Sequence, residues 1–304
     1  MTINSTGDDV TMVKTAREEF KQTLTDPDVS FAIEVALDAG LVLSKRPNEL
    51  IFETKSSDTD VVTHMDQLAE ELIVAAISSG RPDDGLLGEE GAAKPSTSGR
   101  QWVIDPIDGT INYLYKLPHW CVSIGLVEEE SRQGIAGVVY APSLQTLFVG
   151  AAGKGSYRIT FSQSSDLNIH DESTIKTVDR LSVSTEQRLS HSLVGTGFGY
   201  TSARRAHQAN VLTSILPNVR DIRRLGSCAL DLCLVAAGDL DAYFERGVKP
   251  WDHSAGSLIV QEAGGIVSGL RGQQANESMI LASNSLVAQE FVSILESLDA
   301  DKGE

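Results

Sequence analysis

The sequence predicts a mixed α and β fold, and two observations carry that prediction. Apolar residues recur at helical spacing in several segments, notably 28–43, 66–78 and 253–263. Between Val103 and Phe161 the pattern changes to short apolar runs separated by Gly, Pro and charged turns, as in successive strands of an antiparallel sheet. No internal repeat at a fixed period is present.

Along the chain, residues 1–11 read as a loose terminus. Residues 12–24 form an amphipathic helix in prospect, with Val13, Ala16, Phe20 and Leu24 apolar. Dense apolar content makes 28–43 a core helix, and 66–78 is a second. Trp102-Val103-Ile104 suits a strand that delivers Asp105 at its carboxyl end. Asp105-Pro-Ile-Asp108 is then expected as a tight acidic loop, with Pro106 restricting the backbone. Strands follow at 121–127, 135–140, 146–149 and 156–160, and the polar stretch 161–179 reads as a solvated insertion. A strand at 192–196 runs into the Gly197-Phe-Gly199 turn, and a helix is expected at 204–216. Next come a buried helix at 227–237, a strand at 241–244 and a helix at 253–263 that stops at Gly264-Gly265. A strand at 279–282 and a helix at 286–298 close the chain.

With 304 residues, 41% hydrophobic and 22% charged, the chain can bury a large core. Its net charge of −17 argues against nucleic acid and anionic membranes as partners, since both need basic surface. Three scattered cysteines, Cys121, Cys228 and Cys233, give no disulfide framework; the last two read as small hydrophobes. Six histidines show no zinc spacing, and His253 and His119 read as packing or turn residues. The first thirty residues lack an apolar signal-peptide core, and no run spans a bilayer, so a soluble cytoplasmic protein is expected.

The most informative stretch is GEEGAAKPSTSGRQWVIDPIDGTIN, from Gly88 to Asn112. Glu89, Glu90, Asp105 and Asp108 flank its apolar run. Carboxylates with an intervening peptide carbonyl are hard oxygen ligands of the kind Mg²⁺ takes. Gly109 and Thr110 can present N–H groups and a hydroxyl to an anion beside the metal. Read alone, Asp-Pro and Asp-Gly are ordinary turn chemistry. A phosphate substrate is itself an anion, and bound divalent cations would reverse the local sign of so acidic a site.

Three ordered motifs remove that ambiguity. They are Lys55…Asp60-Val-Val-Thr63-His-Met-Asp66, the Trp102-to-Asn112 segment with its preceding Gly-Glu-Glu, and Trp251-Asp252-His-Ser-Ala-Gly256 followed by Glu262-Ala-Gly-Gly265. Together they resemble the inositol monophosphatase-like, lithium-sensitive phosphatases over most of the chain. The resemblance implies a layered α-β-α-β-α sandwich, with an N-terminal extension (1–27), an N-terminal α+β half (28–184) and a C-terminal α/β half (185–304) meeting at the active site. It also implies a Mg²⁺-dependent phosphomonoesterase, with two or three ions per site and a metal-activated water attacking phosphorus in line. Glu89, Asp105 and the Ile107 carbonyl would ligate one ion; Asp105, Asp108 and Asp252 would ligate a second. Thr63, Asp66 and Thr110 would stand beside the attacking water, with a third ion near Glu89 and Asp66. Gly109 and Thr110 would hold phosphate oxygens. Gly226, Ser227, Cys228, Glu245 and Asp252 would meet an inositol phosphate or similar polyol phosphate, and Lys55 would lie near the site in a mobile loop.

Plainer roles stand beside these. Thr63 and Asp66 can cap the following helix, Asp252 can be an N-cap, and Lys55 can be solvated surface. Ile111 and Ser254 depart from the residues that many relatives carry. Competing substrates are fructose 1,6-bisphosphate, histidinol phosphate and a 3′-phosphonucleotide, for which Arg204, Arg205, Arg223 and Arg224 could serve a second anionic group. A non-catalytic metal- or phosphate-binding regulator would be betrayed by a missing ligand, yet all four acidic residues are present. The family commonly forms homodimers, which extends that expectation to this chain.

Overall fold

The computed structural model describes residues 8–55, 60–162 and 167–302. Helices α1 (Asp8–Thr23) and α2 (Pro27–Ser44) come first. The Asp26 carboxylate accepts the Asp28 N–H, and Pro27 opens the helix, which together fix the start of α2. A hairpin of β1 (Phe52–Thr54) and β2 (Val61–Thr63) leads into α3 (His64–Gly80). Then follow β3 (Gly85–Gly88), β4 (Ala93–Lys94), β5 (Arg100–Asp108) and the short α4 (Thr110–Leu114). Strands β6 (Cys121–Glu128), β7 (Gly134–Ala141), β8 (Thr146–Ala151), β9 (Gly155–Phe161) and β10 (Ile175–Arg180) complete the first sheet. Among the described residues its order is β10-β9-β8-β7-β6-β5-β3-β4, antiparallel except where β3 runs parallel to β5.

The second half contains β11 (Leu193–Thr196), α5 (Ser202–Ile215), β12 (Asp221–Arg223), α6 (Cys228–Ala236) and β13 (Ala242–Glu245). It ends with α7 (Pro250–Glu262), β14 (Ile266–Ser268), β15 (Ile280–Ser283) and α8 (Ser285–Ser297). The described strands pair in the order β12-β11-β13-β15-β14.

The period-two alternation of each strand sorts its side chains into different apolar layers. In β7, Ala136, Val138 and Tyr140 pack with α2 and α3, while Val139 and Ala141 pack with α6 and α7. In β13, Tyr243 faces α6 and α7, while Ala242 and Phe244 join Val211 and Ile215 of α5 and Phe291 and Leu295 of α8. Helices α2 and α3, the large sheet, α6 and α7, the small sheet, and α5 with α8 therefore stack as α-β-α-β-α. Helix α7 sits unusually close to the large sheet because glycines face it. A Cβ on Gly137 would lie 2.7 Å from the Ala255 carbonyl oxygen, and one on Gly150 3.1 Å from Ile259 Cα.

Several expectations are corrected in detail. Residues 8–11 belong to α1; the rest of the expected loose terminus lies outside the described residues. The stretch 161–179 is not wholly solvated: Ile169 and Val178 are buried and β10 pairs with β9, while residues 163–166 lie outside the described residues. Asp105 to Asp108 is the bulged end of β5 rather than a loop beyond it. Asp105 pairs with Ser123 and Asp108 with Cys121, so two residues of β5 oppose one of β6.

Candidate active site

Asp66 is held at the start of α3 by a reciprocal cap. The Thr63 hydroxyl oxygen accepts the Met65 N–H at 3.2 Å. Asp66 Oδ2 in turn accepts the Thr63 N–H at 2.8 Å and the Thr63 hydroxyl at 2.6 Å. Capping thus occupies one carboxylate oxygen and leaves Oδ1 directed at Thr110, whose hydroxyl lies 3.2 Å away. The same hydroxyl lies 3.1 Å from the Ile107 carbonyl. It has one proton, so it can donate to only one of them at a time.

The β5 bulge turns Asp105 and Asp108 toward one cavity. Asp105 Oδ1 accepts the Ile107 N–H at 3.0 Å, a local turn that stiffens the bulge. Asp108 Oδ2 accepts the Ser227 hydroxyl at 2.7 Å and the Ala229 N–H at 2.6 Å, in the first turn of α6. The Cys121 thiol approaches it at 3.9 Å. Asp252 is not an N-cap as the sequence suggested; Lys249 is. Asp252 occupies the third helical position of α7, and its Oδ2 accepts the Lys249 N–H at 2.5 Å. One oxygen from each of Asp105, Asp108 and Asp252 lies within 4.8 Å of the other two.

Glu89 follows β3 and is placed from two sides. Its N–H reaches the Ile104 carbonyl at 3.3 Å, and its carboxylate meets the Lys55 ammonium at 3.0 Å. Lys55 also pairs with Glu90 at 2.7 Å, so it is engaged at the site rather than free in solvent. Gly109 adopts φ 95°, and a Cβ there would lie 2.9 Å from the His119 carbonyl. Only glycine fits such a turn at low cost.

A cavity of about 450 Å³ joins these groups. Glu89, Asp105, Ile107, Asp108, Gly109, Thr110, Gly226, Cys228, Glu245 and Asp252 all line it. Thr63 and Asp66 are buried behind Thr110, while Ser227 is buried with its hydroxyl committed to Asp108. Glu245, at the end of β13, accepts the Tyr243 hydroxyl.

Two supports escaped the sequence reading. Glu70 accepts the N–H groups of Glu90 and Ala92, both at 2.9 Å, and so shapes the turn that carries Glu89. The available signal was its spacing: four residues after Asp66 puts it on the same helix face. Asn112 donates to the carbonyls of His119 at 2.6 Å and Leu225 at 2.8 Å, tying the acidic segment to the other half.

Electrostatics mark the cluster as built for cations. Burial first, then the charges of Glu89, Asp108 and Asp252, push Asp105 well above the usual carboxylate range. Burial likewise raises Asp252, with Asp108 and Glu89 adding to it. Asp108 is pushed up to about 7, chiefly by burial, although Ser227 and Ala229 oppose the rise. Asp66 rises to about 6, again mainly by burial. These oxygens gather negative charge out of water, and a hard divalent ion would neutralise it; the all-oxygen set fits Mg²⁺ better than a soft metal.

That cluster predicts an inverted pH dependence for the metal-free protein. The folded state keeps protons on Asp66 and Asp108 where the unfolded chain has released them, so stability falls as pH rises from about 4 through about 7. Carboxylates held low by partners, such as Asp26, titrate below this window, while His253, which burial lowers from 6.5 to about 4, opposes the trend only in its acid part, below about 6.5. In chelator, the denaturant midpoint should therefore be higher near about pH 5.5 than near about pH 8. Added Mg²⁺ should reverse the trend, because it competes with protons for the same oxygens. A higher midpoint at the alkaline end in chelator would contradict the prediction.

The comparisons with known proteins agree with this architecture. The model of the inositol monophosphatase family matches residues 24–300. The chain is 36% identical to the Nus factor SuhB of Xylella fastidiosa, over 89% of this chain and 95% of that protein. It is 41% identical to the inositol-1-monophosphatase SuhB of Mycobacterium tuberculosis over 69% of each. The crystal structure of suhB from Bartonella henselae superposes with a TM-score of 0.76 at 30% identity, covering 88% of this chain and 97% of that one. Among the described residues no helix is long and apolar enough to cross a membrane. With matches across nearly its whole length, the chain belongs to the inositol monophosphatase family of metal-dependent phosphomonoesterases.

Proposed function

We propose that this protein hydrolyses inositol monophosphate or a similar small polyol phosphate, with two or three Mg²⁺ ions, by in-line attack of an activated water. The observation that supports this reading is the convergence of Asp105, Asp108 and Asp252 on the cavity that Glu89 also lines. Glu89, Asp105 and the Ile107 carbonyl would hold one ion, and Asp105, Asp108 and Asp252 another. Bound there, the metals would neutralise the phosphate and lower the pKa of water.

The protein's own groups do the positioning. When the Thr110 hydroxyl donates to Asp66, its oxygen is free to accept a proton-bearing neighbour, which orients the attacking water. Thr63 keeps Asp66 in place for that task. Gly109 and Thr110 offer backbone N–H groups to phosphate oxygens, and Gly226, Cys228 and Glu245 border the alcohol part, with Ser227 fixing Asp108 behind them. We also propose the division into 1–27, 28–184 and 185–304, a cytoplasmic location and a homodimer, all carried by the family resemblance.

With inositol 1-phosphate, the purified protein is expected to release phosphate in Mg²⁺, to stop in chelator and to resume when Mg²⁺ is restored. Oxygen from isotopically labelled water should appear in the phosphate. Sustained release by the chelated protein, or a phosphoenzyme trapped by acid quench, would overturn the reading.

A further inference from the structure

Away from the carboxylates, a second cavity of about 410 Å³ opens between the end of α2, the end of α4 and the 142–145 turn that joins β7 to β8. Its polar lining runs against the character of the chain. The sequence carries 42 acidic and 25 basic residues, yet Arg46 and Lys116 line this cavity and no carboxylate does. Lys116 is exposed and makes no ion pair among the described residues.

Arg46 is held in place without being satisfied. Its Nη2 donates to the Leu114 carbonyl at 2.9 Å, and its guanidinium carbon lies 5.4 Å from the centre of the Tyr113 ring. The Tyr113 hydroxyl donates in turn to the Leu43 carbonyl at 2.9 Å, so the ring that backs the guanidinium is itself fixed. Nε, by contrast, is buried without a hydrogen-bond partner, and so is Oε1 of Gln145. Gln145 sits at φ 51°, a left-handed conformation that costs a residue with a Cβ. The backbone holds it there: its N–H reaches the Pro142 carbonyl at 3.1 Å, and its carbonyl accepts the Phe161 N–H at 2.9 Å.

The cavity thus offers an unpaired guanidinium edge, an exposed ammonium and an unpaired acceptor. The buried members carry a desolvation cost that a suitable ligand recovers. Such a ligand needs anionic oxygens and an O–H group together. Hydrogenphosphate has both in one tetrahedral unit, whereas sulfate at neutral pH has the oxygens without the proton.

We propose that Arg46, Lys116 and Gln145 form a second, non-catalytic oxyanion site for a hydroxyl-bearing phosphate, either inorganic hydrogenphosphate or a polyol monoester. The two cations donate to its oxygens and Gln145 accepts its O–H; the side chains reach it by a small turn into the cavity they line. The site borders the catalytic machinery without belonging to it, since Leu114, which Arg46 holds, ends the helix that Thr110 begins. The proposal is separate from the phosphatase reading, although hydrogenphosphate is also what that reaction would release.

Calorimetric titration of the full chain in chelator tests it, because without cations the acidic cluster repels phosphate. Inorganic phosphate should bind with a Kd below about 5 mM. Sulfate should bind at least about fivefold more weakly, since it leaves the Gln145 oxygen unmet. Arg46→Met and Lys116→Gln should each weaken phosphate binding by at least about tenfold. The exposed Lys116 keeps the test decisive even where Arg46→Met disturbs α4. Inositol 1-phosphate is titrated alongside: tighter binding than inorganic phosphate assigns the site to an ester, and weaker binding assigns it to the free ion. A phosphate affinity weaker than that limit, matched by sulfate, or left unchanged by either substitution would overturn the proposal. The phosphatase reading would stand in each case, because turnover in Mg²⁺ decides it.

Discussion

Asp105→Asn is expected to leave a folded protein whose Mg²⁺-dependent phosphate release is lower by about 10³-fold or more. Asp105 is buried, and its Oδ1 is spent on the Ile107 N–H. Asparagine would keep that local bond with its amide oxygen. The amide nitrogen would then occupy the place of the other oxygen, turning a ligand into a donor at the centre of the carboxylate cluster. One negative charge is lost as well, so raising Mg²⁺ should restore little activity. The metal-free variant should be more stable than the wild type, because burial and the charges of Glu89, Asp108 and Asp252 all oppose ionised Asp105. Phosphate release and denaturant midpoints in chelator check the two effects. Activity within about tenfold of the wild type would refute the proposed role, since a carboxylate shared by two ions could not be spared.

Asp66→Asn is expected to lower kcat by about 10²- to 10⁴-fold while weakening Mg²⁺ binding by less than about tenfold. Oδ2 of Asp66 takes both Thr63 donors, so the amide oxygen should stay there and keep the cap. The amide nitrogen must then face Thr110. Its N–H would donate to the Thr110 oxygen and send that hydroxyl's proton to the Ile107 carbonyl, reversing the local direction of hydrogen bonding. One of the two acceptor positions of that oxygen is then taken, and the negative charge that Asp66 would hold beside the water is lost. Calorimetry of Mg²⁺ alongside turnover separates the effects; a kcat within about threefold of the wild type would remove Asp66 from the chemistry.

The long elements were legible because their apolar spacing persists over several turns, as in α2, α3 and α7. The short ones were not. Strands β1 and β14 have three residues each and β4 only two, too few for any period to register. Strand β10 was hidden by composition, since among Ile175 to Arg180 only Ile175 and Val178 are apolar. The acidic side chains were readable as a set, but their arrangement was not. Pro106 signalled a break where the strand instead bulges, and Asp252 lies three residues inside α7 because Pro250 starts the helix early. Glu70 looked like any other helix glutamate beside Glu71; its burial depends on a turn twenty residues further along.

The missing methyls under α7 have a consequence well away from them. That helix carries Asp252 in its first turn, and its height above the sheet is set by bare backbone at Gly137 and Gly150. A single added carbon at Gly137, deep in the interior, would act like a shim under a lever and lift the Asp252 carboxylate from Asp105 and Asp108. Cation binding at the proposed site and the packing of α7 on the large sheet would then be coupled free energies. Loading the ions should tighten the seam, and a flaw in the seam should surface as poor retention of the ions.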